Sequence, residues 1–173
     1  MIVDARAITY LEMENYVNKR PVSLHVNVNT EEGKISDHDE ICVVSITDVD
    51  MQRIFKESIP EKVCSLVFND CEPNGIPTFK PDNTMPEFMT CEQAKELVNF
   101  IDELHSSDKR ILLLVNCKHG MCRSGAVVNY VGHIASLGFW STKRKNPQIV
   151  PNYWVQYQLF KAHFEKKAKE NQV

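Results

Sequence analysis

The sequence predicts a single α/β domain, with a central, mostly parallel sheet flanked by helices. Three observations carry this. Short apolar runs rich in β-branched residues, at 41–46, 63–68 and 111–115, alternate with segments of helical spacing, as expected of strands buried on both faces. A length of 173 residues suits one domain, taken as 1–173. Hydrophobic residues make up 43% and charged residues 25%, as in ordinary globular chains, and no apolar run approaches the ~20 residues that span a bilayer.

Taken in order, residues 5–17 have the composition of a helix. Val22, Leu24, Val26 and Val28 alternate with polar residues, as in a half-buried strand, and 31–40 reads as a polar loop around Gly33. After the first buried run, 51–58 suits a short helix stopped by Pro60. The second run ends at Asn69 and Asp70. Residues 71–89 hold four prolines and Gly75 and exclude regular structure. Thr90 and Gln93 then form a T-x-x-Q capping box for a helix that buries Ala94, Leu97, Val98, Ile101 and Leu104. The third run leads into a polar turn over 116–123. A second helix buries Ala126, Val127, Tyr130, Val131, Ile134 and Leu137, with Gly138 placed to cap its C-terminus. Residues 141–148 read as a basic loop in which Lys143, Arg144 and Lys145 are solvated. The last helix follows Pro151, starts at Asn152 and runs into a charged tail, 165–173. Trp140 and Trp154 read as packing anchors.

The net charge of -3 removes the global basicity that would favour nucleic acid. Residues 1–10 show no basic start followed by an apolar stretch, so a secretory leader is not expected, and a cytoplasmic, membrane-free monomer is. Six cysteines, at 42, 64, 71, 91, 117 and 122, show neither C-x-x-C nor zinc spacing. Cys42 and Cys64 read as small buried apolar residues.

In open α/β sheets, ligands sit beyond the C-terminal strand ends, which singles out Asp70 and Cys117. The turn reads Asn116-Cys117-Lys118-His119-Gly120-Met121-Cys122-Arg123-Ser124-Gly125, between a buried strand and a helix N-terminus. Backbone N–H groups in such a turn form an anion cradle, helped by the helix dipole. Such dipoles and a guanidinium stabilise a thiolate at Cys117. Arg123 offers a planar fork for two phosphate oxygens, and Ser124 can donate to the thiolate. Gly120 grants the backbone the freedom a crowded loop needs. These parts suit nucleophilic attack on a phosphate ester.

The pattern of Cys117, Gly120, Arg123 and Ser124 resembles the signature of the cysteine-based protein tyrosine and dual-specificity phosphatases. The resemblance spans about residues 41–164 and leaves 1–40 unassigned. It implies a phosphate-binding loop formed by Lys118, His119, Gly120, Met121, Cys122 and Arg123. It also implies a general-acid Asp after an upstream strand, a place that Asp70 fills 47 residues before Cys117. Asp82 and Glu87 are the reserve acids. The family usually has His before the nucleophile; here stands Asn116, which can bond to backbone but is uncharged. That bears on rate and shifts the optimum to less acidic pH. The implied reaction needs no metal or organic cofactor and proceeds through a cysteinyl-phosphate, most directly on phosphotyrosine proteins, with phosphoserine and phosphothreonine if the pocket is shallow. The competing readings are an RNA 5′-phosphatase of the same chemistry and a phosphate-binding pseudophosphatase without turnover. Lys118 and His119 are expected at the rim. The order Cys-x4-Cys-Arg-Ser also resembles the loop of the low-molecular-weight tyrosine phosphatases and marks Cys122 as a redox candidate, able to form a reversible disulfide with Cys117; Cys71 is the next resolving thiol.

Overall fold

The computed structural model describes residues 1–18, 37–48, 62–71 and 88–171. The strand expected over 22–28, most of the loop over 31–40, the helix over 51–58 and the Pro-rich stretch with Asp82 and Glu87 lie outside the described residues.

The described chain runs β1 (Ile2–Thr9), α1 (Tyr10–Val17), β2 (Glu40–Thr47), β3 (Val63–Val67), α2 (Cys91–His105), β4 (Ile111–Cys117), α3 (Arg123–Ile134), α4 (Phe139–Lys145) and α5 (Tyr153–Glu170). The four strands form one sheet in the order β1-β4-β2-β3, and every pairing is parallel. The predicted fold class is therefore the observed one. Parallel pairing brings all four C-terminal strand ends to one edge, with Thr9 beside Cys117 and Ser45 beside Asn116.

Both faces are covered. Ile111, Leu113, Val115 and Cys117 point into the larger core, with Leu97, Ile101, Val127, Val131 and Leu159 of α2, α3 and α5. Leu112 and Leu114 point the other way, onto Val43, Ile8 and Met13 of α1. This is why β4 reads as an unbroken apolar run rather than an alternating one. The capping box at α2 forms as expected: Gln93 N–H donates to Thr90 Oγ1 and Thr90 N–H to Gln93 Oε1. All five apolar residues assigned to that helix are buried.

Four sequence expectations need correction. Residues 5–9 belong to β1, and the helix begins only at Tyr10, capped by Thr9. The strand pattern was hidden by Asp4 and Arg6, which are buried because they pair with each other at 3.0 Å. Residues 141–145 are helical, not loop. That short helix packs on α3 at Gly132, where a Cβ would lie 2.6 Å from Thr142 Oγ1. Its basic residues are not simply solvated, since Lys145 Nζ sits 3.1 Å from Asp4 and Lys143 Nζ donates to the Ile149 carbonyl. Gly138, with φ +79°, stands at the N-terminus of α4; α3 ends at Ile134, with Ala135 as its C-cap. Trp140 is 73% exposed and anchors no core, whereas Trp154 packs against the core and donates to the Met89 carbonyl.

Candidate active site

Cys117 is the last residue of β4 and is 1% exposed. Its Sγ lies 3.2 Å from Ser124 Oγ, in the first turn of α3. Between them, Gly120 takes φ +66°, and a Cβ there would lie 2.7 Å from the Ile8 carbonyl carbon and 2.8 Å from Thr9 N. The end of β1 thus presses on the loop, and only glycine meets both demands. Lys118, His119 and Met121 are exposed, which puts them at the rim.

The loop carbonyls are turned outward. Lys118 O accepts from Tyr10 N at 3.5 Å, Met121 O from Val150 N at 3.3 Å, and Cys122 O from Asn152 N at 3.1 Å and Ala126 N at 2.9 Å. In a trans peptide the following N–H points opposite to the carbonyl, so the amides of His119, Cys122 and Arg123 turn away from these partners. No side chain caps the N-terminus of α3. These amides and the helix dipole make an anion site.

Arg123 opens α3 and is buried. Its Nη1 donates to the Phe68 carbonyl at 2.6 Å and pairs with Asp48 Oδ1 at 2.6 Å. Nε has no hydrogen-bond acceptor, although Asp70 Oδ2 stands 3.9 Å away. The edge formed by Nε and Nη2 is the one left for two oxygens of an anion.

Asp70 follows β3 and is 35% exposed at its side chain. Asn152 Nδ2 donates to Asp70 Oδ1 at 2.8 Å and to the Cys71 carbonyl at 3.4 Å, while Asn152 Oδ1 accepts from Val155 N and caps α5. The expected helix-start residue therefore also holds the expected acid. Burial pushes the Cys122 thiol up first, and the nearby charge of Asp70 pushes it further. It is a free, half-buried thiol beside the acid, as is Cys71 after it.

Cys117, Gly120, Arg123, Ser124, Asp70 and Cys122 thus converge. Asn116 departs from expectation: it is fully buried, and neither Oδ1 nor Nδ2 has a hydrogen-bond partner, so it does not brace the loop. Asp48 was missed. It directly follows β2, and the rule that singled out Asp70 after β3 applies to it equally.

No family model matches the chain, and no curated protein does. Among solved structures, the chain is similar to a crystal structure of a human DUSP28 variant, at 17% identity and a TM-score of 0.44, over 73% of this chain and 80% of that one. It is also similar to Tk-PTP in its active form, at 20% identity and a TM-score of 0.40, over 70% of this chain and 77% of that one. No helix among the described residues is long and apolar enough to cross a membrane.

Proposed function

We propose that the chain hydrolyses phosphate monoesters through a cysteinyl-phosphate on Cys117, and that phosphotyrosine proteins are its leading substrates, met as a monomer in the cytoplasm. One observation carries this reading: a buried thiol at a strand end stands 3.2 Å from a hydroxyl, at the mouth of a loop that closes on a buried guanidinium whose Nε lacks a partner. Few other ligands than a tetrahedral oxyanion use such a set.

In the first step, Cys117 Sγ attacks phosphorus and the ester P–O bond breaks. The loop amides and the free edge of Arg123 hold the three equatorial oxygens, where charge sits in a loose transition state. Ser124 donates a hydrogen bond from its hydroxyl to the sulfur and steadies the thiolate. Asp70, oriented by Asn152, gives its proton to the leaving oxygen. In the second step, water attacks phosphorus, the P–S bond breaks and Asp70 takes a proton from that water. The exposed Met121 and Val150, joined by the bond from Val150 N to the Met121 carbonyl, give an apolar patch beside the rim residues Lys118 and His119 on which an aryl ring can rest.

The test is turnover of an aryl phosphate and of phosphotyrosine, phosphoserine and phosphothreonine peptides with a metal chelator present. A Cys117→Ser variant should lose activity by about 10⁴-fold or more yet still bind tungstate, because the cradle and Arg123 stay in place. Substantial activity in that variant would remove the nucleophile assignment. Binding without turnover in the wild type would make the chain a phosphate-binding module, and turnover confined to triphosphorylated RNA would make it a 5′-phosphatase.

A further inference from the structure

The buried guanidinium of Arg123 meets a carboxylate that the proposed chemistry does not use. Asp48, at the C-terminal end of β2, is 16% exposed at its side chain, and its Oδ1 lies 2.6 Å from Arg123 Nη1. The Phe68 carbonyl accepts from the same nitrogen, again at 2.6 Å. A carbonyl acceptor and a carboxylate from two strand ends therefore meet at one corner of the guanidinium. A planar guanidinium held at one corner by a single hydrogen bond can only pivot about it, and an ion pair from a second direction restrains the pivot. The opposite edge, Nε with Nη2, is then set in one orientation, and Nε is the atom left without a partner.

Charge alone gives Asp48 no purpose here. A carboxylate beside a phosphate site lowers the attraction for an oxyanion, and Asp70 already stands 3.9 Å from Nε. A second negative group is useful only if what it fixes outweighs what it repels. We propose that Asp48 is a positioning residue: by its ion pair with Nη1, it turns the Nε–Nη2 edge of Arg123 toward the oxyanion held over Cys117. The inference rests on the phosphatase reading for its purpose, but not for its test.

Electrostatics and positioning predict opposite signs, which makes the role measurable. Removing a negative charge from an anion site should tighten anion binding; releasing a guanidinium from its anchor should weaken it. The probe is tungstate, titrated against wild type, Asp48→Ala and Asp48→Asn, with circular dichroism as a check on folding. Asp48→Ala is expected to bind tungstate at least 10-fold more weakly than wild type. Asp48→Asn keeps an acceptor oxygen in place and should bind at least 3-fold more tightly than Asp48→Ala. In an Arg123→Ala background there is no fork to position and only the repulsion is left, so Asp48→Ala should not weaken tungstate binding there. A purely structural role would predict none of this coupling. Tungstate bound by Asp48→Ala as tightly as by wild type would overturn the inference, as would an asparagine variant no better than alanine. If Asp48→Ala fails to fold, Asp48→Ser takes its place: it lacks the charge and is too short to reach Nη1, so tungstate binding at least 10-fold weaker than wild type supports the role and binding as tight as wild type overturns it. A wild type that binds tungstate but turns over no ester would end the phosphatase reading and leave this test standing. A wild type that binds no tungstate would end both.

Discussion

Asp70 sits between an amide donor and a guanidinium, with the Cys122 thiol near it. A carboxyl so held can deliver a proton along one direction, and the need for that proton depends on the leaving group. Asp70→Asn should slow phenyl phosphate hydrolysis by about 10²–10⁴-fold and nitrophenyl phosphate by about 10-fold or less, because nitrophenolate departs unaided. The basic limb of the pH–rate profile should flatten with it. Equal slowing of both esters would pass the acid role to Asp82 or Glu87. Gly120 carries a different burden. A Cβ there meets backbone of Ile8 and Thr9 at 2.7 and 2.8 Å, at a φ of +66° that side chains resist. Gly120→Ala should destabilise the fold by about 3 kcal/mol in urea unfolding, the sum of a left-handed conformation and a backbone clash. A cost below about 1 kcal/mol would mean that the end of β1 yields. Cys117, Arg123 and Ser124 were legible in the sequence because loop chemistry is local: spacing alone places a thiol, a fork and a hydroxyl on one turn. Asp48 stands at a strand end as Asp70 does, but its pairing was not legible, because its partner stands 75 residues away and only the parallel register brings β2 and the loop together.

Among the elements, α5 is tied to the site by a single side chain. Asn152 caps the helix through Oδ1, holds Asp70 through Nδ2 and donates its own N–H to the Cys122 carbonyl. Its two side-chain roles separate by substitution. Asn152→Ala should lose about 1 kcal/mol from the missing cap. Asn152→Ser should recover most of that, since its hydroxyl can accept from Val155 N, but it is too short to reach Asp70. Both variants should lose rate on phenyl phosphate more than on nitrophenyl phosphate. Recovery of rate as well as stability by serine would show that the cap is all that matters. The same dependence on distant partners explains which elements were legible. The apolar runs of β2, β3 and β4 and the capped, periodic α2 declare themselves by local pattern. β1 does not, because burial of Asp4 and Arg6 depends on their mutual pairing and on Lys145 from α4. Nor does α4, whose hold comes from elsewhere: Asn146 just after it accepts from Ala7 N and donates to the Ala5 carbonyl, so its amide group occupies the open edge of β1 like a short strand.

For the molecule as a whole, the described core is apolar in its interior, with buried polar groups at the strand ends of the site and around the Asp4–Arg6 pair of β1, and it also holds buried thiols. One of those thiols, Cys64, couples stability to alkaline pH. Cys64, on the edge strand β3, is 5% exposed, and burial first, then the charge of Glu96, push its thiol from an ordinary 9.0 to about 12. Below pH 9 the thiol keeps its proton in both folded and unfolded chains and exerts no pH dependence. Between 9 and about 12 the unfolded chain releases that proton while the folded one retains it. The unfolded state then binds fewer protons, so stability falls as pH rises, by up to about 1.4 kcal/mol per pH unit. Tyr130, buried between α3 and α5 and also pushed up by burial, acts in the same sense from about pH 10 upward. Cys64→Ala separates the two. The missing sulfur leaves a cavity that lowers the whole stability curve by a constant amount, whereas loss of the ionisable group changes its slope. Urea unfolding at pH 8, 9.5 and 10.5 should show wild type losing stability more steeply than Cys64→Ala, with the difference opening only above pH 9. Parallel curves would place the alkaline sensitivity in Tyr130, and Tyr130→Phe would then be the variant whose curve flattens.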